Sequence, residues 1–157
     1  MLNPAIFREY DIRGIWGKDL TEGVIERIGK AFAVYLRKTL EKEKIKVSIG
    51  RDVRLSSSTI LEALSVGLLS SGIDIVDIGT CPTPLQYFSL FHLPVDGGVM
   101  ITGSHNPPEF NGLKLSVSKE TLYGGKIQEV GRIVERGDFF QGKGTTEAYE
   151  IIPKYID

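Results

Sequence analysis

Helical and extended apolar patterns alternate along the chain. Between residues 20 and 44, apolar side chains recur at spacings of three and four, with Glu, Lys and Arg on the opposite face. That spacing is typical of an amphipathic helix. Further helices are predicted over residues 56–71, which begin with three serines and end before a glycine, and over residues 83–91 and 126–135. Four helices of ordinary length are therefore expected.

Short apolar runs separate these helices and predict strands over residues 46–50, 73–78, 98–101 and 112–117. Strands that alternate with helices form βαβ units, whose sheet is covered on both faces. The chain between the last two strands is too short for a crossover helix, so we expect that pair to be antiparallel. The predicted fold is an α/β protein, a three-layer α/β/α sandwich with a mostly parallel mixed sheet of about four strands. The polar, Gly-rich segment 137–146 is expected to be a mobile loop or the start of a linker.

The six residues that follow the third strand, Thr102-Gly103-Ser104-His105-Asn106-Pro107, carry the first candidate chemistry. Pro107 and Pro108 suit the first turn of a short helix, and Asn106 stands at a favoured N-cap position. Ser104 would then lie on a strand-to-helix elbow, where free N–H groups and the helix dipole favour a phosphate. The same residue types also form ordinary turns, so these six residues alone leave a purely structural loop open.

Several basic side chains follow other predicted strands or precede the first helix. They are Arg8, Arg13, Arg51, Arg54 and Lys114. Ligands of open α/β sheets collect at the carboxyl ends of the strands, so we expect the loops there to converge on one crevice. Arginine binds phosphate oxygens in a bidentate manner and lysine acts as a compact positive charge. For any single arginine, an ion pair with Asp11 or Asp52 is the simpler alternative.

Composition narrows the class of protein. The chain has 157 residues, a length that suits one domain, and its net charge of −1 gives no general attraction to nucleic acid or to anionic membranes. Its single cysteine, Cys81, excludes an internal disulfide, and two histidines make a poor metal site. The N-terminus lacks the apolar core of a signal peptide and no apolar stretch is long enough to cross a bilayer, so a cytoplasmic location is expected.

Two other known motifs, one for a catalytic serine and one for phosphate binding, are not matched at Ser104. Asn106 stands where the serine-hydrolase pattern Gly-x-Ser-x-Gly has its second glycine. Gly103 is not followed by the Gly-Lys-Ser/Thr of a Walker loop. Neither a serine hydrolase nor a P-loop nucleotide-binding protein is therefore indicated.

Five segments, taken in order, resemble the first domain of the α-D-phosphohexomutases, the phosphoglucomutase/phosphomannomutase family. They are Tyr10-Asp11-Ile12-Arg13-Gly14, Gly50-Arg51-Asp52-Val53-Arg54, Thr83-Pro84, the serine loop 102–107 and Asn111-Gly112-Leu113-Lys114. The serine loop is the most specific of them. The resemblance implies that residues 1–150 form the phosphoserine-bearing domain and that residues 151–157 begin a linker to a second domain, which this sequence does not contain.

The resemblance also implies roles for individual residues. Ser104 would carry the phosphoryl group that is exchanged with a hexose phosphate, through a hexose 1,6-bisphosphate, to interconvert the 1- and 6-phosphates of mannose or glucose. His105 and Lys114 are the candidates for proton transfer and charge stabilisation, and Arg13 would add positive charge. Phosphate or substrate contacts are expected from Tyr10, Asn106 and Arg51.

The family's Mg²⁺ is held by the serine phosphate and by an aspartate-rich loop of the second domain. That loop is not in this sequence, so Ser104 would contribute to the metal only through its phosphate. We therefore expect this chain alone to be inactive, with the remaining domains and a hexose phosphate as its partners and no nucleic acid or membrane among them. A non-catalytic sugar-phosphate or anion-binding module, and a purely structural α/β domain, remain the alternatives.

Overall fold

Residues 2–156, which the computed structural model describes, form a mixed sheet with helices on both faces. Within them a short 3-10 helix, Pro4–Ile6, precedes seven strands and five α-helices. The strands are β1 (Ile12–Ile15), β2 (Ile45–Arg51), β3 (Ile73–Thr80), β4 (Gly97–Ile101), β5 (Phe110–Val117), β6 (Glu120–Thr121) and β7 (Thr146–Ala148). The helices are α1 (Glu22–Leu40), α2 (Ser57–Leu69), α3 (Thr83–His92), α4 (Gly125–Arg136) and α5 (Ile151–Ile156).

The strand order is β1-β5-β4-β2-β3-β7, with β6 beside β5. Strands β4, β2, β3 and β7 run parallel to one another, whereas β5 is antiparallel to both β4 and β1. The α/β class, the mixed sheet and the antiparallel return strand are therefore confirmed. The expected count of about four strands is wrong, because the sheet has seven among the described residues.

The three unpredicted strands are short or polar. Strand β1 has four residues and includes Arg13 and Gly14, β6 has only two residues, and all three residues of the edge strand β7 are exposed. Such segments show no apolar run, and only pairing with a distant strand makes them extended. Segment 137–146 is likewise not a free loop, because the N–H groups of Gly142 and Gly144 donate to carbonyls at the end of α2 at 2.9 Å each.

Two apolar clusters lie between the sheet and the helices, one on each face of the sheet. The larger one joins α1, α2 and α4 to one face of the sheet, and Ile28, Phe32 and Leu36 of α1 are fully buried in it. The smaller one lies under α3 and α5 on the other face and comprises Val76, Ile78, Cys81, Leu85 and Ile151. Residues 151–156 thus form a helix that packs against α3, and the domain boundary at residue 150 stays a prediction.

Strand β2 is the switch point of the sheet. The chain leaves β2 through α2 on one face to reach β3, and then crosses back through α3 on the other face to reach β4 on the opposite side of β2. Loops that leave neighbouring strands toward opposite faces open a crevice at the carboxyl ends of those strands. Here the crevice lies between the loop after β2 and the loop after β4, which carries Ser104.

Candidate functional site

Residues 102–109, which include the serine loop 102–107, connect the antiparallel strands β4 and β5. Ser104 is exposed and has a φ of 54°, a left-handed conformation that few non-glycine residues adopt. Its backbone N–H donates to Thr102 Oγ1 at 2.9 Å. Residues with such backbone angles concentrate at functional sites, where the surrounding structure must hold them in place.

The helix predicted from Pro107 and Pro108 does not form, and residues 102–109 are turns and bends. Strand β5 already begins at Phe110, whose N–H donates to the Pro107 carbonyl in a tight turn. The chain between the prolines and β5 is too short for a helical turn. Asn106 is therefore not an N-cap, and the helix dipole expected from residues 107–109 is not formed.

Arg54 holds this loop instead. Its Nη1 donates to the carbonyls of Pro107 at 2.7 Å and Phe110 at 3.2 Å, and its Nη2 donates to those of Ser104 at 3.0 Å and Asn106 at 2.7 Å. A helix would need such carbonyls for its own N–H groups. The arginine thus explains both the shape of the loop and the missing helix.

Asp52 supports the other side of the loop. Its Oδ2 accepts from the Gly103 N–H at 3.1 Å and lies 3.3 Å from Arg54 Nε, while its Oδ1 accepts from the Ser57 hydroxyl at 2.6 Å. Burial tends to raise the pKa of Asp52, but the hydrogen bonds from Ser57 and from the N–H groups of Arg54 and Gly103 outweigh it and lower that pKa. Asp52 is therefore a stable anion in this network.

Ser56 and Ser57 do not cap α2 with their side chains as their positions suggest. The buried Asn111, at the start of β5, donates to the hydroxyls of Ser56 at 2.8 Å and Ser57 at 3.0 Å. Ser57 therefore connects the carboxylate of Asp52 to strand β5. Together with the bond from Gly103 to Asp52, it makes the loops that follow β2 and β4 one hydrogen-bonded unit.

A separate group of charges lies on the hydroxyl side of Ser104. Arg13 Nη2 donates to Ser104 Oγ at 3.1 Å and also to Asp11, whose other cationic neighbour is Lys114, with Nζ 3.8 Å from Asp11 Oδ2. The register of β1 and β5 pairs Arg13 with Gly112, two residues before Lys114, so both cations project from the same face. Two cations and one anion leave a net positive charge beside the hydroxyl.

The remaining predicted site residues are placed as follows. His105 is exposed next to Ser104, and Tyr10, 68% exposed, precedes Asp11. Asn106 lies in the loop with its carbonyl on Arg54. Arg51 lies at the end of β2, and its Nη1 donates to Asp77 Oδ1 of the neighbouring strand β3 at 3.1 Å, so its guanidinium is paired with β3. Ser104, Arg13 and Lys114 are brought together, whereas Arg51 is not among them.

Sequence reasoning treated Arg54 as a phosphate-binding charge, with an ion pair to Asp52 as the simpler alternative, and did not identify the contacts of Ser57 and Asn111. The motif Gly50-Arg51-Asp52-Val53-Arg54 directly after a buried strand was the available signal. It shows that charged groups lie at the switch point but not which of the two arginines faces the serine loop.

A cleft of about 420 Å³ opens beside Ser104, between the loops that follow β2, β3 and β4. Its wall combines polar groups of the serine loop with apolar groups, including Met100, Pro82 and Cys81. Burial raises the pKa of the Cys81 thiol, so this cysteine is a neutral wall residue of the cleft. Ser104 thus lines a space that a small polar ligand can enter.

The carboxylates near Ser104 are already engaged. Asp11 contacts Arg13 and Lys114, and Asp52 accepts hydrogen bonds from the loops. Within residues 2–156, no group of three or more His, Cys, Asp or Glu side chains is arranged to hold a metal ion. The described residues therefore do not form a complete Mg²⁺ site. In the same part of the chain, no helix has the length and apolar character that crossing a membrane requires.

Comparisons with known proteins show which family this chain is similar to. Residues 4–141 match the model of the family described as phosphoglucomutase/phosphomannomutase, alpha/beta/alpha domain I. A phosphomannomutase/phosphoglucomutase of Pseudomonas aeruginosa is 40% identical over 155 residues, which are 99% of this chain and 33% of that protein. A phosphoglucomutase of Neisseria gonorrhoeae is 45% identical over 154 residues, 97% of this chain and 33% of that protein.

A solved structure extends the similarity to the fold. The crystal structure of a phosphoglucomutase/phosphomannomutase family protein of Burkholderia thailandensis superposes with a TM-score of 0.92 at 36% sequence identity, and the match covers 99% of this chain and 35% of that one. The chain thus spans about a third of the length of the relatives that it matches.

Proposed function

Because this chain belongs to the phosphoglucomutase/phosphomannomutase family, as its alpha/beta/alpha domain I, we propose that it is the phosphoserine-bearing domain of a phosphohexomutase. In this proposal the whole protein interconverts the 1- and 6-phosphates of glucose or mannose. The observation that carries it is the exposed, left-handed Ser104, whose Oγ lies 3.1 Å from Arg13 Nη2. An accessible hydroxyl beside a cation is suited to receive a phosphoryl group and to release it.

The transfer is a balanced exchange of two P–O bonds. In the first half, the bond between phosphorus and Ser104 Oγ breaks while a free hydroxyl of the hexose phosphate forms a new bond to the same phosphorus. The sugar hydroxyl loses its proton to a base, and Ser104 Oγ gains one. The resulting hexose 1,6-bisphosphate then turns, and its other phosphate returns to Ser104 by the reverse chemistry.

The chain's own residues supply charge and position. Phosphoryl transfer depends mainly on alignment and on neutralising charge at the phosphoryl oxygens. Arg13 donates directly to Ser104 Oγ. Lys114 contacts Asp11, the same carboxylate that accepts from Arg13, so Asp11 orients both cations. His105 and Lys114 are the two candidates for the proton transfer. Tyr10 and Asn106 are proposed as nearby phosphate or substrate contacts.

In this proposal the domain supplies only one of the ligands of Mg²⁺. The carboxylates of the described residues near Ser104 are engaged by cations and backbone N–H groups, so they do not fit a metal site of their own. Mg²⁺ would contact this domain through an oxygen of the Ser104 phosphate, with its other ligands coming from the remaining domains. Those domains and the hexose phosphate are the partners proposed for this chain.

Mass spectrometry of the natural full-length protein tests the proposal. After incubation with glucose 1,6-bisphosphate, we expect the wild type to carry one phosphoryl group on Ser104 and the Ser104→Ala variant to carry none. Ser118→Ala is a matched control, because Ser118 is also exposed and also left-handed, with a φ of 56°. The control should be phosphorylated like the wild type.

A phosphate that persists in Ser104→Ala, or that disappears in Ser118→Ala, would contradict the assignment. A wild type that binds the bisphosphate without accepting a phosphoryl group would instead indicate a sugar-phosphate-binding module. Phosphorylation of Ser104 and binding of the bisphosphate without phosphorylation are therefore distinguishable outcomes.

A further inference from the structure

The terminal nitrogens of Arg54 are occupied by protein groups. They donate to the carbonyls of Ser104, Asn106 and Pro107 in the serine loop and of Phe110 at the start of β5. Its Nε faces the carboxylate of Asp52 at 3.3 Å. An arginine side chain has five N–H donors in one plane. The four on the terminal nitrogens of Arg54 are hydrogen-bonded to carbonyls, and Nε lies within ion-pair distance of Asp52. The terminal nitrogens of Arg54 are therefore not free to bind a phosphate oxygen.

These contacts fix the backbone on both sides of Ser104. The carbonyl of Ser104 accepts from Arg54, the N–H of Ser104 donates to Thr102, and the N–H of Gly103 donates to Asp52. A left-handed serine in a loop without helix or sheet bonds of its own needs such support from outside. The Oγ of Ser104 is thereby kept beside Arg13.

Gly103 shows how closely the guanidinium packs on the loop. A Cβ at this position would collide with Arg54 Nε and Cζ, so only glycine lets the guanidinium lie against the backbone here. The flat guanidinium, the glycine and the four carbonyls match one another in shape. A lysine ammonium presents its donors in a different geometry and cannot reach the same acceptors together.

We infer that Arg54 is a positioning residue that holds the Ser104 loop in its transfer-competent shape, whereas the charge acting on the phosphoryl group comes from Arg13 and Lys114. This inference rests on the proposed function for its catalytic consequence. The positioning itself is a property of the unphosphorylated loop. The two roles of arginine at this site are thus divided between two residues.

The test uses Arg54→Lys in the natural full-length protein, with Arg37→Lys as the matched control. Arg37 also donates to backbone carbonyls, those of Glu43, Ser71 and Gly72, far from the serine loop. Both variants keep the positive charge and lose the planar fork. Any difference between them therefore reports on the loop that Arg54 contacts.

Amide exchange and steady-state kinetics are measured on both lysine variants, and rescue by guanidinium is measured on Arg54→Ala. Hydrogen exchange of the Gly103 amide in the unphosphorylated protein should be faster in Arg54→Lys than in the wild type and unchanged in Arg37→Lys. In Arg54→Lys, kcat for hexose phosphate should fall by about a hundredfold, the scale expected for a misplaced reacting group, with little change in KM. In Arg54→Ala, millimolar guanidinium should restore part of the lost kcat. Arg37→Lys should show none of these effects.

Unchanged Gly103 exchange and kcat in Arg54→Lys, or an equal loss of kcat in Arg37→Lys, would overturn the inference. If Arg54→Lys does not fold, Arg54→Gln, which keeps a planar amide donor, replaces it with the same expected directions. If the wild type never becomes phosphorylated, the proposed function fails, yet the Gly103 exchange still decides whether Arg54 holds the loop.

Discussion

Two arginines hold loops at opposite ends of the sheet by the same type of contact. Arg54 follows the carboxyl end of β2 and donates to three carbonyls of the serine loop and to that of Phe110 in β5. Arg37, in the last turn of α1, donates to the carbonyls of Glu43 at 2.8 Å and Ser71 at 3.0 Å, at the end where β2 and β3 begin. Each region also has a left-handed non-glycine residue, Ser104 in one and Glu41 in the other.

The two regions differ in what stands next to the held loop. Beside Ser104 lies a second set of charges, Arg13 and Lys114 oriented by Asp11. Beside Arg37 lies the ring of Phe140, with the guanidinium carbon 5.5 Å from its centroid. An arginine bound to carbonyls thus makes a loop rigid but not reactive. Chemistry additionally requires a hydroxyl and cations whose donors are not already used.

The largest expected effect is a loss of stability that depends on pH in the Arg54 region but not in the Arg37 region. Asp52→Asn should lower the free energy of unfolding by about 3 kcal/mol at neutral pH, because charge-assisted hydrogen bonds are lost and an amide N–H₂ faces other donors. The pKa of Asp52 is lowered in the folded state. Its contribution is therefore present above the unfolded pKa of about 3.9 and is lost as the pH falls through the folded pKa.

The measurement is urea unfolding of both proteins between neutral pH and the acid range. The difference between wild type and Asp52→Asn should shrink as the pH falls below about 4. Arg37 contacts carbonyls, which do not titrate, so the loss caused by Arg37→Lys should stay constant over that range. A pH-independent loss in Asp52→Asn would show that its charge does not stabilise the serine loop.

The next effect concerns the glycines that lie against the two guanidiniums. Gly103→Ala collides with Arg54, and Gly72→Ala, at a φ of +83°, brings its Cβ to 2.8 Å from Arg37 Nη2. Each should lower the free energy of unfolding by about 2 kcal/mol. Only Gly103→Ala should also slow the phosphorylation of Ser104.

Gly23→Ala, in the first turn of α1 with open space around its Cβ, is the control and should not destabilise the protein. Thermal unfolding and the phosphorylation rate are measured for all three variants. Equal phosphorylation rates in Gly103→Ala and the wild type would mean that the packing of Arg54 on Gly103 does not matter to Ser104.

The smallest effect compares the two left-handed residues. Glycine adopts this conformation without the steric cost that serine and glutamate bear, which favours the glycine variants, but it loses more conformational entropy on folding, which opposes them. We expect the relief of strain to be the larger effect. Ser104→Gly and Glu41→Gly should therefore each raise the free energy of unfolding by about 0.5 kcal/mol. Ser104→Gly should accept no phosphoryl group, whereas Glu41→Gly should behave like the wild type. Denaturant unfolding and mass spectrometry give the two readouts. A clear loss of stability in Ser104→Gly alone would show that the hydroxyl itself stabilises the loop through Arg13.

Local pattern was sufficient for much of the fold. The helical spacing of apolar residues places α1, and Thr21 caps it as its position suggests, accepting from the Val24 N–H at 3.2 Å. The four apolar runs correspond to β2, β3, β4 and β5. Strand β7 was not predictable in this way, because its three residues are exposed and become extended only through pairing with β3.

The same limit applies to the candidate site. An exposed serine on a turn after a buried strand follows from local sequence, and Ser104 is such a residue. The short helix expected at Pro107 was wrong because the carbonyls it would have used accept hydrogen bonds from Arg54, about fifty positions earlier in the chain. Backbone carbonyls are the same at every residue, so no side-chain pattern reveals which arginine will bind them.

The sequence by itself determined the alternation of helices and strands, the antiparallel return of β5 and the position of Ser104 at a strand end, because each depends on neighbours within a few residues. Only the tertiary structure decided that Arg13 reaches the hydroxyl while Arg54 holds the loop and Arg51 pairs with Asp77. That assignment depends on the strand order, which brings the carboxyl ends of β1, β2 and β4 to the same end of the sheet. The partners of a charged side chain are set by the elements packed around it, and those elements come from distant parts of the chain.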